Sequence, residues 1–276
     1  MNDMSMKAKI KNIAKEKNIS AQAVLQVHLT NRFLFRLAQS KYKDMFVIKG
    51  GVLISSIIGI DQRTTMDLDT TIRNIPLNEI ELINVFNKIC NIQLGDGIQF
   101  VFEYITPIRE DDEYGGYRLA FKANYGKINA PMTIDISTGD VITPAAIEHS
   151  FVDLIDKKQS CELWSYPIET ILAEKIETVL SRSTENTRPR DYYDLYKLSF
   201  ESYDSNELLK ALLNTSTHRG SRGIISNYKN ILRDIKNSDV MNQRWNKYSG
   251  DMFYAKDIVF EDIINIIEGI LDDLLL

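Results

Sequence analysis

Cysteine is scarce in this chain. The two present in 276 residues, Cys90 and Cys161, stand far apart without the paired spacing of a zinc site. They make no case for a bound metal and are read as small buried residues. Long hydrophobic runs are missing as well. No segment offers eighteen uncharged apolar residues, and the opening MNDMSMKAKIKNIAKEKNIS is basic and polar where a signal peptide would be apolar. These absences argue against secretion and a membrane span, and the expected location is the cytoplasm. Repeats, low-complexity tracts and disorder-like stretches are also lacking. What is present, 44% hydrophobic and 26% charged residues, is the composition of an ordinary globule with ample material for a core.

The net charge of -5 is unevenly spread. Residues 1–66 carry +7, residues 67–181 carry -10, residues 182–250 return to +4, and the tail from Asp251 is -6. A nucleic-acid partner is compatible with this balance only through local basic patches, because the global charge repels a phosphate backbone. The acidic middle is where a divalent cation would be welcome. Solvated faces that differ without purpose would give the same asymmetry.

Hydrophobic spacing predicts helix from Ala8 to about Ser40, with His28 on the apolar stripe as a core histidine. Met45–Ile48 is a short apolar run, and Val52–Ile60 is a buried helix or a strand, which periodicity cannot separate at that length. Thr65–Ile72 alternates like a strand, Leu77–Asn91 is an amphipathic helix, and Ile98–Ile105 and Tyr117–Tyr125 are strands on either side of Gly115-Gly116. Met132–Ser137 is a further strand. Beyond Pro167 the spacing is helical over Ile168–Leu180, Arg190–Phe200, Glu207–Leu213, Ile224–Ile235 and Val259–Leu275. The expected fold class is α/β (α+β). Residues 1–165 are expected to form an α/β domain with N-terminal helices, and residues 166–276 a helical domain.

The stretch IKGGVLISSIIGIDQRTTMDLDTTI holds the first candidate site. Asp67 and Asp69, two apart on a strand, leave one face about 6.6 Å apart at the backbone, a spacing at which oxygen ligands suit Mg²⁺. A strand end capped by acidic residues would look the same. Gly50 and Gly51 precede an apolar segment, where missing side chains let backbone N–H groups approach a phosphate, and Arg63 and Thr65 stand just before the carboxylates. Asp135, on MTIDIS, would bring a third carboxylate to the same sheet face, which suits phosphoryl or nucleotidyl transfer around one or two Mg²⁺ ions. Farther on, Lys175 and Arg182 share a helix face, and Asp191 and Asp194 follow in TRPRDYYDLYKL. A salt-bridge network tying two helices together explains those residues equally well.

Taken together, Lys49-Gly50-Gly51, Arg63-Thr64-Thr65 and Asp67-Leu68-Asp69 resemble the first motif of the AbiEii/AbiGii family. These are nucleotidyltransferase-like toxins of bacterial abortive-infection, antiviral and toxin–antitoxin systems, within the polymerase-beta-like superfamily. Ile134–Ser137 resembles that family's third-carboxylate strand. Ala173–Arg182 and Arg188–Tyr196 resemble its distal Lys and Arg-Asp motifs. Many relatives carry Gly-Ser where this chain has Gly50-Gly51, so a phosphate-contacting hydroxyl would come from Ser55 or Thr65, or be absent.

The resemblance implies a minimal nucleotidyltransferase domain, a mixed sheet flanked by helices, followed by a mostly helical domain. It implies a toxin that uses an NTP and releases pyrophosphate. Asp67, Asp69 and Asp135 would hold Mg²⁺ or take the acceptor's proton, Lys175 would contact the triphosphate with Arg182 and Arg190 nearby, and Asp191 would be needed for activity. Gly50, Gly51, Arg63 and Thr65 would complete the nucleotide site. The implied acceptor is RNA, at the tRNA 3′ end, and the implied antitoxin is encoded separately and need not form a stable complex. Transfer to a protein or small molecule, phosphoryl transfer, and a catalytically silent NTP-binding module are the alternatives.

Overall fold

The computed structural model describes residues 3–108 and 115–275. The chain divides into two compact units, one of residues 1–140 and 147–165 and the other of residues 141–146 and 166–276.

The first unit opens with α1 (Asp3–Glu16) and α2 (Ala21–Gln39). The helical pattern expected over Ala8–Ser40 is therefore broken. Asn18 takes φ +52, and Ser20 restarts the chain by accepting the Ala23 N–H at 3.1 Å. β1 (Phe46–Lys49), α3 (Gly50–Ile58), β2 (Asp67–Ile72) and α4 (Glu79–Cys90) follow. The segment whose periodicity was ambiguous is thus a helix, with Leu53, Ile54 and Ile58 buried and Gly59 ending it at φ +100. Strands β3 (Gln99–Ile108), β4 (Gly116–Tyr125) and β5 (Ile128–Ser137) are longer than the alternation suggested, and residues 109–114 of the β3–β4 connection lie outside the described residues. β6 (Ile147–Val152) and β7 (Ser160–Ser165) form a hairpin that alternation does not reveal.

Among the described residues these strands make one mixed sheet, ordered β3-β4-β5-β2-β1-β7-β6. Its middle is parallel between β2 and β5 and antiparallel between β1 and β2 and between β4 and β5. A cluster of rings fills the core beneath it. Phe33 of α2 stacks on Phe86 of α4 at 5.9 Å, and Phe46, Phe100 and Phe121 close around them. Each such pair adds about 0.5–1.5 kcal/mol beyond area burial. His28 on α2 is buried, as the apolar stripe predicts, and burial lowers its pKa to about 4.

The second unit comprises α5 (Ile168–Arg182), α6 (Pro189–Leu198), α7 (Ser205–His218), α8 (Arg222–Ile225), α9 (Tyr228–Lys236), α10 (Asp239–Asp251) and α11 (Phe260–Leu275). Pro189 occupies the first turn of α6, where its missing N–H costs nothing. Asp204 caps α7 through the N–H groups of Asn206 and Glu207. Tyr192, Trp245 and Phe260 form an aromatic core, with centroids 5.2 Å apart for Tyr192–Phe260 and 5.9 Å for Trp245–Phe260. The continuous helix expected over Ile224–Ile235 is split at Ser226-Asn227. Among the described residues no helix is long and apolar enough to cross a membrane.

Candidate active site

Four consecutive strands carry a row of alternating roles. Lys49 of β1 lies opposite Asp69 of β2, Asp69 opposite Asp135 of β5, and Asp135 opposite Arg118 of β4. Residues paired this way share a sheet face, so two carboxylates stand side by side between two cations. Asp67 projects from the same face two residues before Asp69, opposite Thr133. The alternation of β2 accounts for this: Leu68 is buried beneath the sheet while Asp67 and Asp69 are half-buried above it.

Each carboxylate has a distinct setting. Thr133 donates its hydroxyl to Asp67 Oδ1. Arg118 embraces Asp135 with both arms, Nε to Oδ1 and Nη2 to Oδ2, each at 2.7 Å. Asp69 accepts the Gly51 N–H, but burial raises its pKa, and the charges of Asp135 and Asp67 add to the rise while Lys49 opposes it. Lys49 also reaches past β2. Its Nζ donates to Asp140 Oδ2 at 2.5 Å and to Ser137 Oγ at 2.8 Å. Burial alone would raise the Asp140 carboxyl, yet the Lys49 charge and the Lys49, Ser137 and Thr71 hydrogen bonds bring it down to about 2.

The close approach that Gly50 and Gly51 permit is to the protein's own side chains. A Cβ on Gly50, whose φ is +66, would meet Asp69. One on Gly51 would fall 2.6 Å from Thr65 Oγ1, with Arg63 Nη2 at 3.5 Å. Arg63 is buried and donates to the Thr64 carbonyl at 2.5 Å. Thr65 and Ser55 also line a small cleft of about 80 Å³ beside α3, walled by Val27, Asn31, Val52 and Phe151. The Ser55 hydroxyl is buried without a hydrogen-bond partner among the described residues.

The distal motif residues lie in the second unit. Lys175 of α5 pairs with Asp191 Oδ1 and Asp194 Oδ2 of α6, both at 2.8 Å. Burial alone would lower its pKa, but the two carboxylates outweigh burial and raise it. This is the helix-tying network that the sequence left open. Arg182 in the last turn of α5 and Arg190 in the first turn of α6 are exposed. Also on α5, Glu177 holds Arg219 at 2.5 Å and the Ser221 hydroxyl at 2.8 Å.

Among the described residues no three His, Cys, Asp or Glu side chains are drawn into one metal-binding group. Asp67 and Asp69 share a face, while Asp135 is committed to Arg118. The site as folded presents two carboxylates to a hard cation and a third under a guanidinium. Arg118 and Asp140 escaped the sequence reading, the alternation of β5 placed Thr133 and Ser137 beside Asp135 without giving them a role, and Lys49 entered only as part of a motif. Their partners come from strand register, which no spacing encodes. The one available signal was the alternation of β4 and β5, which puts Arg118, Thr133 and Asp135 on alternate positions of long strands.

The family described as "Nucleotidyl transferase AbiEii toxin, Type IV TA system" matches residues 32–265. Among solved structures, JHP933 from Helicobacter pylori is 19% identical, covers 92% of this chain with 92% of its own, and has a TM-score of 0.47. A second H. pylori protein, described as a candidate nucleotidyltransferase, is 18% identical over 93% of this chain and 96% of its own, with a TM-score of 0.49. An antigenic nucleotidyltransferase-like protein from Paracoccidioides brasiliensis is 16% identical over 72% and 90%, with a TM-score of 0.43. A search of curated proteins gave no match.

Proposed function

The chain belongs to the AbiEii family of nucleotidyltransferase toxins of type IV toxin–antitoxin systems, and we propose that it acts with Mg²⁺ to transfer a nucleotidyl group from an NTP to the 3′ end of tRNA. The family implies an NTP substrate and a separately encoded antitoxin. A tRNA extended at that end is no longer a normal substrate for aminoacylation, which would halt growth. The basic segments 1–66 and 182–250 supply local positive charge for an RNA backbone despite the acidic whole.

The single observation that carries the reading is the pair Asp67 and Asp69, side by side on one face, with Asp69 pushed toward protonation by burial and by its carboxylate neighbours. Such a donor set fits a divalent cation: the ligands are hard oxygens on one face, and repulsion among the carboxylates favours a cation between them. Asp67 and Asp69 would hold the ion. When bound, it would supply Lewis-acid stabilisation of charge on the transferring phosphoryl group.

The protein's own share is positioning. Thr133 fixes Asp67, the Gly51 amide fixes Asp69, and Lys49, held by Asp140 and Ser137, adds fixed positive charge beside them. The acceptor hydroxyl attacks the α-phosphorus, the bond to the β-phosphate oxygen breaks, and pyrophosphate leaves. Asp135 is the candidate to take the hydroxyl proton. In the second unit, Lys175, Arg182 and Arg190 are candidates for phosphate binding, with Asp191 holding Lys175.

The test is to incubate the protein with total tRNA, Mg²⁺ and each NTP labelled in the α-phosphate, then size the RNA. Label should enter tRNA and lengthen it. In a parallel incubation with γ-labelled NTP, transfer of that label and not of the α-label would make the chemistry phosphoryl transfer. Unchanged tRNA with all four nucleotides would refute the proposed acceptor.

A further inference from the structure

Two cations flank the carboxylates, and they are held very differently. Lys49 is locked inside, 6% exposed, with its ammonium on Asp140 and Ser137. Arg118 is at the surface. Its side chain is 44% exposed, whereas its partner Asp135 is 14% exposed. Both oxygens of Asp135 are engaged by the guanidinium, and Arg118 also lies within the field of Asp67 and Asp69.

That arrangement has a consequence for loading. A fork that takes both carboxylate oxygens occupies one lone-pair direction on each, leaving no room for a cation to chelate them from that side. Yet the guanidinium is open to water, so it can leave Asp135 without being stranded in the interior. A doubly charged ion arriving at Asp67 and Asp69 repels the guanidinium and offers Asp135 a stronger partner. The released arginine keeps its reach and its planar fork, a geometry that matches phosphate as well as carboxylate.

We propose that Arg118 is a resident counter-ion of the carboxylate row: it covers Asp135 before a divalent cation does, and on loading it transfers its guanidinium to the phosphates of the incoming nucleotide. This rests on the reading that Asp67 and Asp69 hold the cation. No covalent bond changes in the exchange. Arg118 gives up one anion and gains another, so the site keeps its charge balance when a polyphosphate enters. It also orders the steps, because Asp135 becomes available as a ligand or a base when the nucleotide arrives.

Two titrations of opposite sign test the proposal. Mn²⁺ binding without nucleotide, followed by calorimetry, should tighten about tenfold in Arg118→Met, because a counter-ion has been removed from the site. Binding of a non-cleavable α,β-methylene NTP at saturating Mn²⁺ should weaken about tenfold in the same variant, and Arg118→Lys should recover part of it. Thermal unfolding of both variants confirms that they are folded, as an exposed pair predicts. If Arg118 merely joins β4 to β5, the two affinities will stay unchanged or move together, and the proposal falls. Wild-type protein that takes up no Mn²⁺ overturns the carboxylate reading and this proposal with it. Wild-type protein that binds Mn²⁺ while Asp67→Asn does not upholds that reading, whatever Arg118→Met shows.

Discussion

Gly50 and Asp69 share a space with room for one side chain: a Cβ on Gly50 would lie 2.6 Å from Asp69 Cγ and 2.7 Å from Asp69 Cβ. Gly220 in the second unit has nearly the same backbone angle, φ +65 against +66, and nothing within 4 Å of its Cβ position. The pair separates strain from crowding. Gly220→Ala should cost about 1–2 kcal/mol, the penalty of a left-handed residue. Gly50→Ala should cost about 1–3 kcal/mol more, because Asp69 must move, and should also weaken cation binding. Urea unfolding of both variants reads the first difference, and Mn²⁺ titration of Gly50→Ala reads the second. Equal costs would mean that Asp69 moves aside freely.

Elements with a full apolar face were mostly legible in the sequence and elements with few buried residues were not, β7 being the exception, since it buries Cys161, Leu163 and Ser165 in alternation. β2 and β5 declared themselves through Leu68, Ile134 and Ile136 alternating with carboxylates. β6 buries fully only Phe151, an edge strand with too little apolar alternation to stand out, and α10 buries only Met241 and Trp245. The break between α1 and α2 was hidden because apolar residues continue on both sides of it, while the turn depends on Asn18 tolerating positive φ. At the candidate site, the shared face of Asp67 and Asp69 was legible in local spacing. The pairings of Arg118 with Asp135 and of Thr133 with Asp67 were not, because they lie across strands, and register depends on the whole sheet.

Two half-buried carboxylates set the acid limit of the first unit. Asp96 is bound by Arg36 through Nη1 and Nη2 and by Arg32 through Nε, at 2.8–2.9 Å. Burial alone would raise it, but the guanidinium bonds hold it down to about 2, and Asp140 is held at about 2 by Lys49. A folded-state pKa below the unfolded value means stability that is present above the unfolded value of 3.8 and lost as pH falls through about 2. Each contributes on the order of 2 kcal/mol. The urea midpoint should therefore fall steeply between pH 4 and pH 2, the range these pKa values bound. Asp96→Asn should start lower at neutral pH and converge with wild type near pH 2. Parallel curves would refute the assignment.

Thr133 acts through Asp67, to which it donates its hydroxyl. Thr133→Val keeps the shape and removes the donor, and should cost about 10–100-fold in turnover by freeing a ligand from its orientation. Thr133→Ser should restore most of the rate. Asp67→Asn should lose several orders of magnitude with the fold intact. The informative readout is Mn²⁺ affinity alongside kcat: a positioning role moves both, whereas a packing role at Thr133 would move the thermal midpoint and leave Mn²⁺ affinity alone.

Lys175 can be separated into its two roles by a double substitution. Its ammonium lies between Asp191 and Asp194, and the Asp194 side chain is fully buried. Lys175→Met takes the ammonium away from a fully buried carboxylate, which should cost about 3–5 kcal/mol of stability. Adding Asp194→Asn removes that buried negative charge, so the double variant should recover most of the loss. Activity should not return with it, because stability is restored while the cation proposed to meet phosphate is still absent. Unfolding curves and α-phosphate label transfer on the same two variants decide the matter. Activity that recovers in step with stability would assign Lys175 to holding α5 against α6 and nothing more, and would pass the phosphate role to the exposed Arg182 and Arg190.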